Sequence, residues 1–487
     1  MRIACILFLL ILHNAGSVYA TDLTITGIEW SRNQTRNEYH VKFTITWNNS
    51  WHNSRNHDAA WVVIKYQSPE YRVAGYRHAR ILTRNHSMLI NHVPGSPQPV
   101  FEVPEDSTGF FIYPSSTYRG AISWTVLIAL DTAILSDRNF LPNDRLLSVH
   151  GIEMVKIPEG PFTLGDPDTA AYRNFSFFSS DGNGKPAGLF KINSEKSDIP
   201  VNTSQGSLYY NAERQIYHGD QKGIIPAAFP KGYQSFYIMK YELQQGQYAE
   251  FLNCISAGAS HHRANFGGKL YYEHRGTIKI EDDRYFSASP SRPCNFVSWD
   301  DACAFADWSC LRPMTELEFE KACRGNRTPI PHEYPWNTSS KNNLMRIVDT
   351  NNELVLINNL NESQLDDNNR DKFGASYYWV MDLAGSLWER CVTVGDSVGR
   401  SFQGTHGDGN LAPYGYASNA DWPKGSTETA GFGFRGGGYY EHNMQYGGFN
   451  PHSPIGYRNF GSWPGGNRSN SYSSRFVRTV TRSVITK

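Results

Sequence analysis

The chain has 487 residues, and its 46 lysines and arginines are balanced by 46 aspartates and glutamates. No global field therefore favours nucleic acid or an anionic membrane, and nucleic-acid binding is set aside. Aromatic residues make up 14%, charged residues 19%, and glycine numbers 42, the profile of a compact, loop-rich chain with room for at least two cores, not of a disordered one.

Met1-Arg2 supplies a short basic start, Ile3 to Leu12 is an unbroken apolar run, and Val18-Tyr19-Ala20 offers small residues for cleavage. Residues 1–20 are predicted to be a secretory signal, too short to span a bilayer, leaving Thr21 as the mature terminus and a secreted or periplasmic protein. Cys5 lies inside the apolar run and not at the cleavage point, so no lipid anchor is indicated. No later stretch is long and apolar enough to be a transmembrane helix. Six cysteines then remain: Cys254, Cys294, Cys303, Cys310, Cys323 and Cys391. Export permits disulfides, and an even count permits complete pairing. Cys303 and Cys310, seven apart, are equally compatible with core positions on one helical face.

Residues 21–148 read as strands. Leu23, Ile25, Ile28 and Trp30, and then Val41, Phe43, Ile45 and Trp47, alternate with polar residues, while Trp61–Tyr66 and Ile122–Leu130 suggest deeper strands. Short strands between turn residues predict a β-sandwich-like domain. A new pattern begins near Ile152, giving a second domain over 149–487 with its own core. Residues 166–232 are rich in Asn, Ser, Gly and Tyr with little periodicity, and are expected to be an irregular insertion. Helices are predicted around Tyr248, Phe251 and Leu252, after a capping box at Ser298-Trp299-Asp300-Asp301, and after another at Thr315-Glu316-Leu317-Glu318. Beyond Gly325 helix is scarce, which makes the second domain α+β with little regular structure.

The blocks MVKIPEGPFTLGD (154–166), FYIMKYELQQGQYAEFLN (236–253), NFVSWDDACAFADW (295–308), LRPMTELEFEKACRG (311–325), YPW (334–336), MDLAGSLWER (381–390), FRGGGYY (434–440) and SRFVR (474–478) follow one another in a particular order. In that order they resemble the formylglycine-generating-enzyme, or sulfatase-modifying-factor, family over residues 152–480. The resemblance implies a C-type-lectin-related α+β fold. It also implies a calcium site in the segment Asp382 to Glu389, with ligands from the side chains of Asp382 and Glu389 and the carbonyls of Gly385 and Leu387. Oxygen donors of this kind suit a hard cation.

The family's enzyme oxidises a substrate cysteine to formylglycine with copper held by two of its own thiolates, which lie between the FRGGG-like and final blocks. Here the interval from Gly438 to Arg475 holds no cysteine, and Ser473-Ser474 and Phe476 alter the last block. Copper is therefore not expected, since soft thiolates are what Cu(I) needs. No catalytic residue is assigned. His52 and His57 show no helical ligand pattern; His406 and Asp408, with His442 or His452, could form a polar site, although histidines in glycine-rich loops are usually surface residues. The leading expectation is a pseudoenzyme acting as a binding or assembly component on an extracytoplasmic protein or glycan. The alternative is a metal-dependent oxidoreductase of the formylglycine-generating and non-haem iron superfamily, using a site without cysteine.

Overall fold

A computed structural model describes residues 23–33, 38–67, 75–131, 146–170, 175–211, 219–349, 351, 353–425, 430–438, 452–480 and 483–486. The signal segment, Thr21 and His442 lie outside the described residues.

The first strands are β1 (Thr24–Asn33), β2 (Glu38–His52), β3 (Asp58–Gln67), β4 (Arg77–His78), β5 (Ser87–Asn91), β6 (Pro99–Pro104), β7 (Phe110–Pro114), β8 (Tyr118–Ala129) and β9 (Leu146–Ile157). They form two facing sheets. One has the order β1-β2-β8-β5. Alternate residues point to one face of a strand, so Val41, Phe43, Ile45 and Trp47 of β2 meet Ala60, Val62 and Ile64 of β3 in a shared apolar layer. That much is the strand-rich N-terminal region expected from the alternation.

The second sheet does not stop at the expected boundary. Its order is Arg312–Pro313, Phe476–Thr479, Phe236–Met239, β9, β3, β7, β6 and Ser483–Thr486, with β4 on β3. Strand β9 straddles residue 148: Leu146–Val155 pair with β3, and Met154–Ile157 also pair with Phe236–Met239. The expectation of two separate cores is corrected. The other face of β3, Ala59, Trp61 and Val63, packs in one cluster with Phe305 and Trp308 from the second half of the chain. Strand β3 is thus buried on both faces. The Trp61 indole donates to the Ser309 carbonyl at 2.8 Å, and Lys65 Nζ donates to the carbonyls of Trp308 and Gly409 at 2.6 and 2.8 Å.

Helices are few: α1 (Gln245–Cys254), α2 (Ala257–Arg263), α3 (Lys269–Glu273), α4 (Trp299–Trp308) and α5 (Glu316–Arg324), then two four-residue turns of helix at Arg370–Phe373 and Ser397–Arg400. The caps of α4 and α5 form as expected. The Ser298 and Thr315 hydroxyls accept from the N–H groups of Asp301 and Glu318, whose carboxylates accept from the cap N–H groups in return. Among the described residues, the stretch from 166 to 232 is not wholly irregular. Five of its short strands build a small sheet, and Phe190–Ile192 pairs with Phe162–Leu164. No disulfide joins the six cysteines from Cys254 to Cys391; each is a buried free thiol. Among the described residues no helix is long and apolar enough to cross a membrane.

Candidate functional site

The Asp382–Glu389 segment is a sharp turn feeding the strand Trp388–Val392, which pairs with Phe432–Arg435 on one side and Tyr472–Ser474 on the other. The turn uses the left-handed region three times, at Asp382 (φ 60°), Gly385 (φ 89°) and Ser386 (φ 65°). Gly385 is the natural residue there, while Asp382 and Ser386 occupy it because their surroundings hold them. The Gly385 N–H donates to the Gly436 carbonyl, and the Leu387 N–H to Glu242 Oε1, both at 2.9 Å.

The two expected side-chain ligands are buried, and each is gripped by an arginine. Arg346 donates to Asp382 Oδ1 and Oδ2 at 2.6 and 2.8 Å. Arg475 donates to both oxygens of Glu389 at 2.9 Å and also to the carbonyls of Met239, Lys240 and Met381. Such forks are among the stronger charge-assisted hydrogen bonds. Sequence reasoning missed both arginines and a third carboxylate, Glu242, which is fully buried and whose Oε2 has no hydrogen-bond partner. Burial pushes Glu242 well above the usual carboxylate range, and the negative charges of Glu389 and Asp382 push it further. Burial also raises Glu389, with Arg475 opposing.

These groups partly fit a hard cation. The donors are oxygens, three carboxylates face two guanidiniums, and one carboxylate oxygen is bare, so an added positive charge would be compensated. Against this, Asp382 and Glu389 are already satisfied, and among the described residues no three His, Cys, Asp or Glu side chains converge on one point. An ion would have to rest on the remaining lone pairs of two carboxylates and on backbone carbonyls, the ligand set expected from the sequence.

The cysteines do not fit copper. All six are buried, and Cys323 and Cys391 sit together inside an apolar cluster. Burial holds both of these thiols well above their ordinary range, and Cys310 is pushed up to about 12. The rings of His52 and His57 lie 5.1 Å apart, but among the described residues no histidine joins a group of three His, Cys, Asp or Glu that could hold a metal. His406 Nε2 accepts the Thr479 N–H at 3.0 Å, and burial keeps its imidazole neutral. His452 lies edge-on to Trp336 and is held down to about 4 by burial. His57 stacks on Tyr113 with centroids 4.0 Å apart. His52 Nδ1 lies 2.7 Å from the Pro114 carbonyl oxygen.

Asp408 belongs to a different feature, an open depression of about 630 Å³ whose lining includes Ser401, Gln403, Thr405, Asn419 and Asp421. Its loops are fixed from within. The Asp421 carboxylate accepts from the N–H groups of Gln403 and Thr405. Asn419 Nδ2 donates to Thr405 Oγ1 and the His406 carbonyl, and buried Asp307 accepts from the N–H groups of Asp408 and Ser418. The result is a preset surface of hydroxyls, amides and carboxylates.

No curated protein sequence matches the chain. The solved structure of group B streptococcus pilus 2b backbone protein aligns over 41% of this chain and 93% of its own at 10% identity, with a TM-score of 0.11, too low to carry structural meaning. Residues 186–447, more than half of the sequence, match the profile described as the sulfatase-modifying factor enzyme 1-like domain. The chain belongs to the sulfatase-modifying factor family.

Proposed function

We propose that the protein is an exported, non-catalytic member of its family that binds a glycan through the polar depression at Asp408, Asn419 and Asp421. The observation that carries this reading is the lining: hydroxyl, amide and carboxylate groups held in place by one another, which is what recognition of a polyhydroxylated ligand requires. Loss of the family's oxidation is supported by the cysteine-free interval from Gly438 to Arg475 and by the sealed thiols elsewhere. We read the family portion as C-type-lectin-related.

We further propose calcium as a structural ion at the 382–389 turn, held by Asp382, Glu389 and the carbonyls of Gly385 and Leu387. It would supply positive charge to a buried region in which the cation opposing the charge on Glu242, Arg475, is already forked onto Glu389.

Three measurements test these readings. Titration of the full chain against a panel of oligosaccharides should give saturable binding that Asp421→Ala weakens at least tenfold, and a cysteine-containing sulfatase peptide incubated with copper-loaded protein should stay unoxidised. Aldehyde on that peptide refutes the non-catalytic reading, and absence of any saccharide binding refutes the glycan. For calcium, chelation should lower the melting temperature and Asp382→Ala should abolish most of that difference, because an ion that binds only the native state stabilises it by mass action. Identical melting with and without chelator refutes the ion alone.

A further inference from the structure

Four separate stretches of chain meet at Tyr377. Its N–H donates to the Cys323 carbonyl near the end of α5 at 3.2 Å. Its ring lies against Gly325, where an added Cβ would stand 2.2 Å from the ring edge. Three guanidinium carbons lie near that ring. Arg55, from the loop between β2 and β3, is 4.5 Å from its centroid; Arg327, just past α5, is at 5.1 Å; and Arg370, which opens the short helix Arg370–Phe373, is at 5.6 Å. The side chains of Arg55 and Arg327 are each 17% exposed, so the cluster reaches the surface.

The nearby acids do not match these cations. Asp367 takes both Nη atoms of Arg55, at 2.9 and 3.0 Å. Glu333 accepts from Arg324 at 2.7 Å and has only a 3.3 Å contact left for Arg327. Arg370 is 8% exposed, and among the described residues it makes no hydrogen bond or ion pair. Its Nε and Nη1 are buried without a partner, as are Nη1 of Arg327 and Nε of Arg55. Burial, with repulsion from Arg370 behind it, holds Arg327 down to about 10, and burial lowers Arg370 as well. Arg327 and Arg370 are therefore left without a carboxylate of their own. A buried charge without a partner is costly, and a guanidinium is best relieved by an oxyanion that it can fork onto.

We propose that this cluster is a site for a compact oxyanion, phosphate or sulfate, taken as the free ion or as an ester group on a larger molecule. Its oxygens accept from the unpartnered N–H groups of Arg370 and Arg327, and its negative charge balances theirs. Contact with the Tyr377 ring holds both guanidiniums before the ion arrives. No carboxylate has to move away, since Asp367 stays on Arg55 and Glu333 on Arg324.

The test uses the full chain in a phosphate-free buffer, titrated calorimetrically with sodium phosphate, sodium sulfate, phenyl phosphate and sodium chloride at constant ionic strength. Phosphate or sulfate should bind at one site, at least tenfold more tightly than chloride, and raise the melting temperature until the site is full. Phenyl phosphate binding as well as phosphate assigns an ester group as the ligand, and its exclusion assigns the free ion. Binding of phosphate and sulfate no tighter than that of chloride overturns the proposal without recourse to any variant. Arg370→Met should weaken binding of either ion at least tenfold, yet melt no lower than wild type in chloride, because the lost cation had no partner. A purely structural arginine would instead lower the melting temperature and leave anion binding intact, and that result overturns the proposal. So does a rise in melting temperature that never saturates and that Arg370→Met shares, which is general exclusion of salt from the surface. If Arg370→Met fails to fold, Arg327→Met supplies the same readout.

Discussion

If β3 is the shared wall of two cores, the family portion should not stand alone. Expressing residues 149–487 removes Trp61, Val63, Val100, Phe111 and Tyr113 from the layer that covers α1 and α4. Full burial of side chains of this size contributes about 1.5–3 kcal/mol each, so about 7–15 kcal/mol is forfeited. A typical native state is stable by about 5–15 kcal/mol in total. The loss also strips β9 of its ten-residue pairing with β3 and uncaps the carbonyls of Trp308 and Ser309 at the end of α4. The shortened chain should retain far-ultraviolet circular dichroism, lose its near-ultraviolet signal, bind a hydrophobic dye and melt without a cooperative transition. A sharp melt within about 2 °C of the full chain, a shift worth only about 1–2 kcal/mol, would refute the shared wall.

Arg475→Met should cost about 3–5 kcal/mol in chemical denaturation, because Glu389 is then buried without its fork; a loss under about 1 kcal/mol would show that the carboxylate finds another partner. His57 is held down to about 3 by burial, whereas an unfolded histidine titrates near 6.5. Between those values the unfolded chain binds the extra proton, so the His57 contribution is complete above about pH 6.5 and declines toward pH 3 by about 1.4 kcal/mol per pH unit. His57→Phe should flatten the acid limb of the stability profile by one proton, and an unchanged slope would refute this. Mass spectrometry of the protein from its native host should find Thr21 as the first residue; an intact Met1 would overturn the signal reading.

What the sequence made legible was local. The alternation of Val41, Phe43, Ile45 and Trp47 places them on one face of β2, and the capping boxes at Ser298 and Thr315 mark the starts of α4 and α5, because each signal repeats or closes within a few residues. The run Trp61–Tyr66 also reads as a buried strand, but nothing in it says that its two faces serve different cores. That depends on β9 turning from β3 to Phe236–Met239. The candidate site was half legible for the same reason. Asp382 and Glu389 stand in a recognisable turn, yet their arginines come from Arg346, 36 residues from Asp382, and from Arg475, 86 residues from Glu389. Glu242 reaches Leu387 through space alone. Arg55, Arg327 and Arg370 reach Tyr377 from separate stretches of chain, and no spacing rule links them.

Strand Ser483–Thr486 has a consequence for how the molecule is made. It covers the outer edge of β6, with Thr486 opposite Phe101 and Ser483 opposite Pro104. Until residues 483–486 have left the ribosome, β6 presents an open row of amide and carbonyl groups, a template for pairing with another chain. The sheet cannot close before then, and its widest-spaced contacts form late, which slows folding and lengthens exposure to aggregation. The covering strand still shows Val484 and Ile485 to solvent.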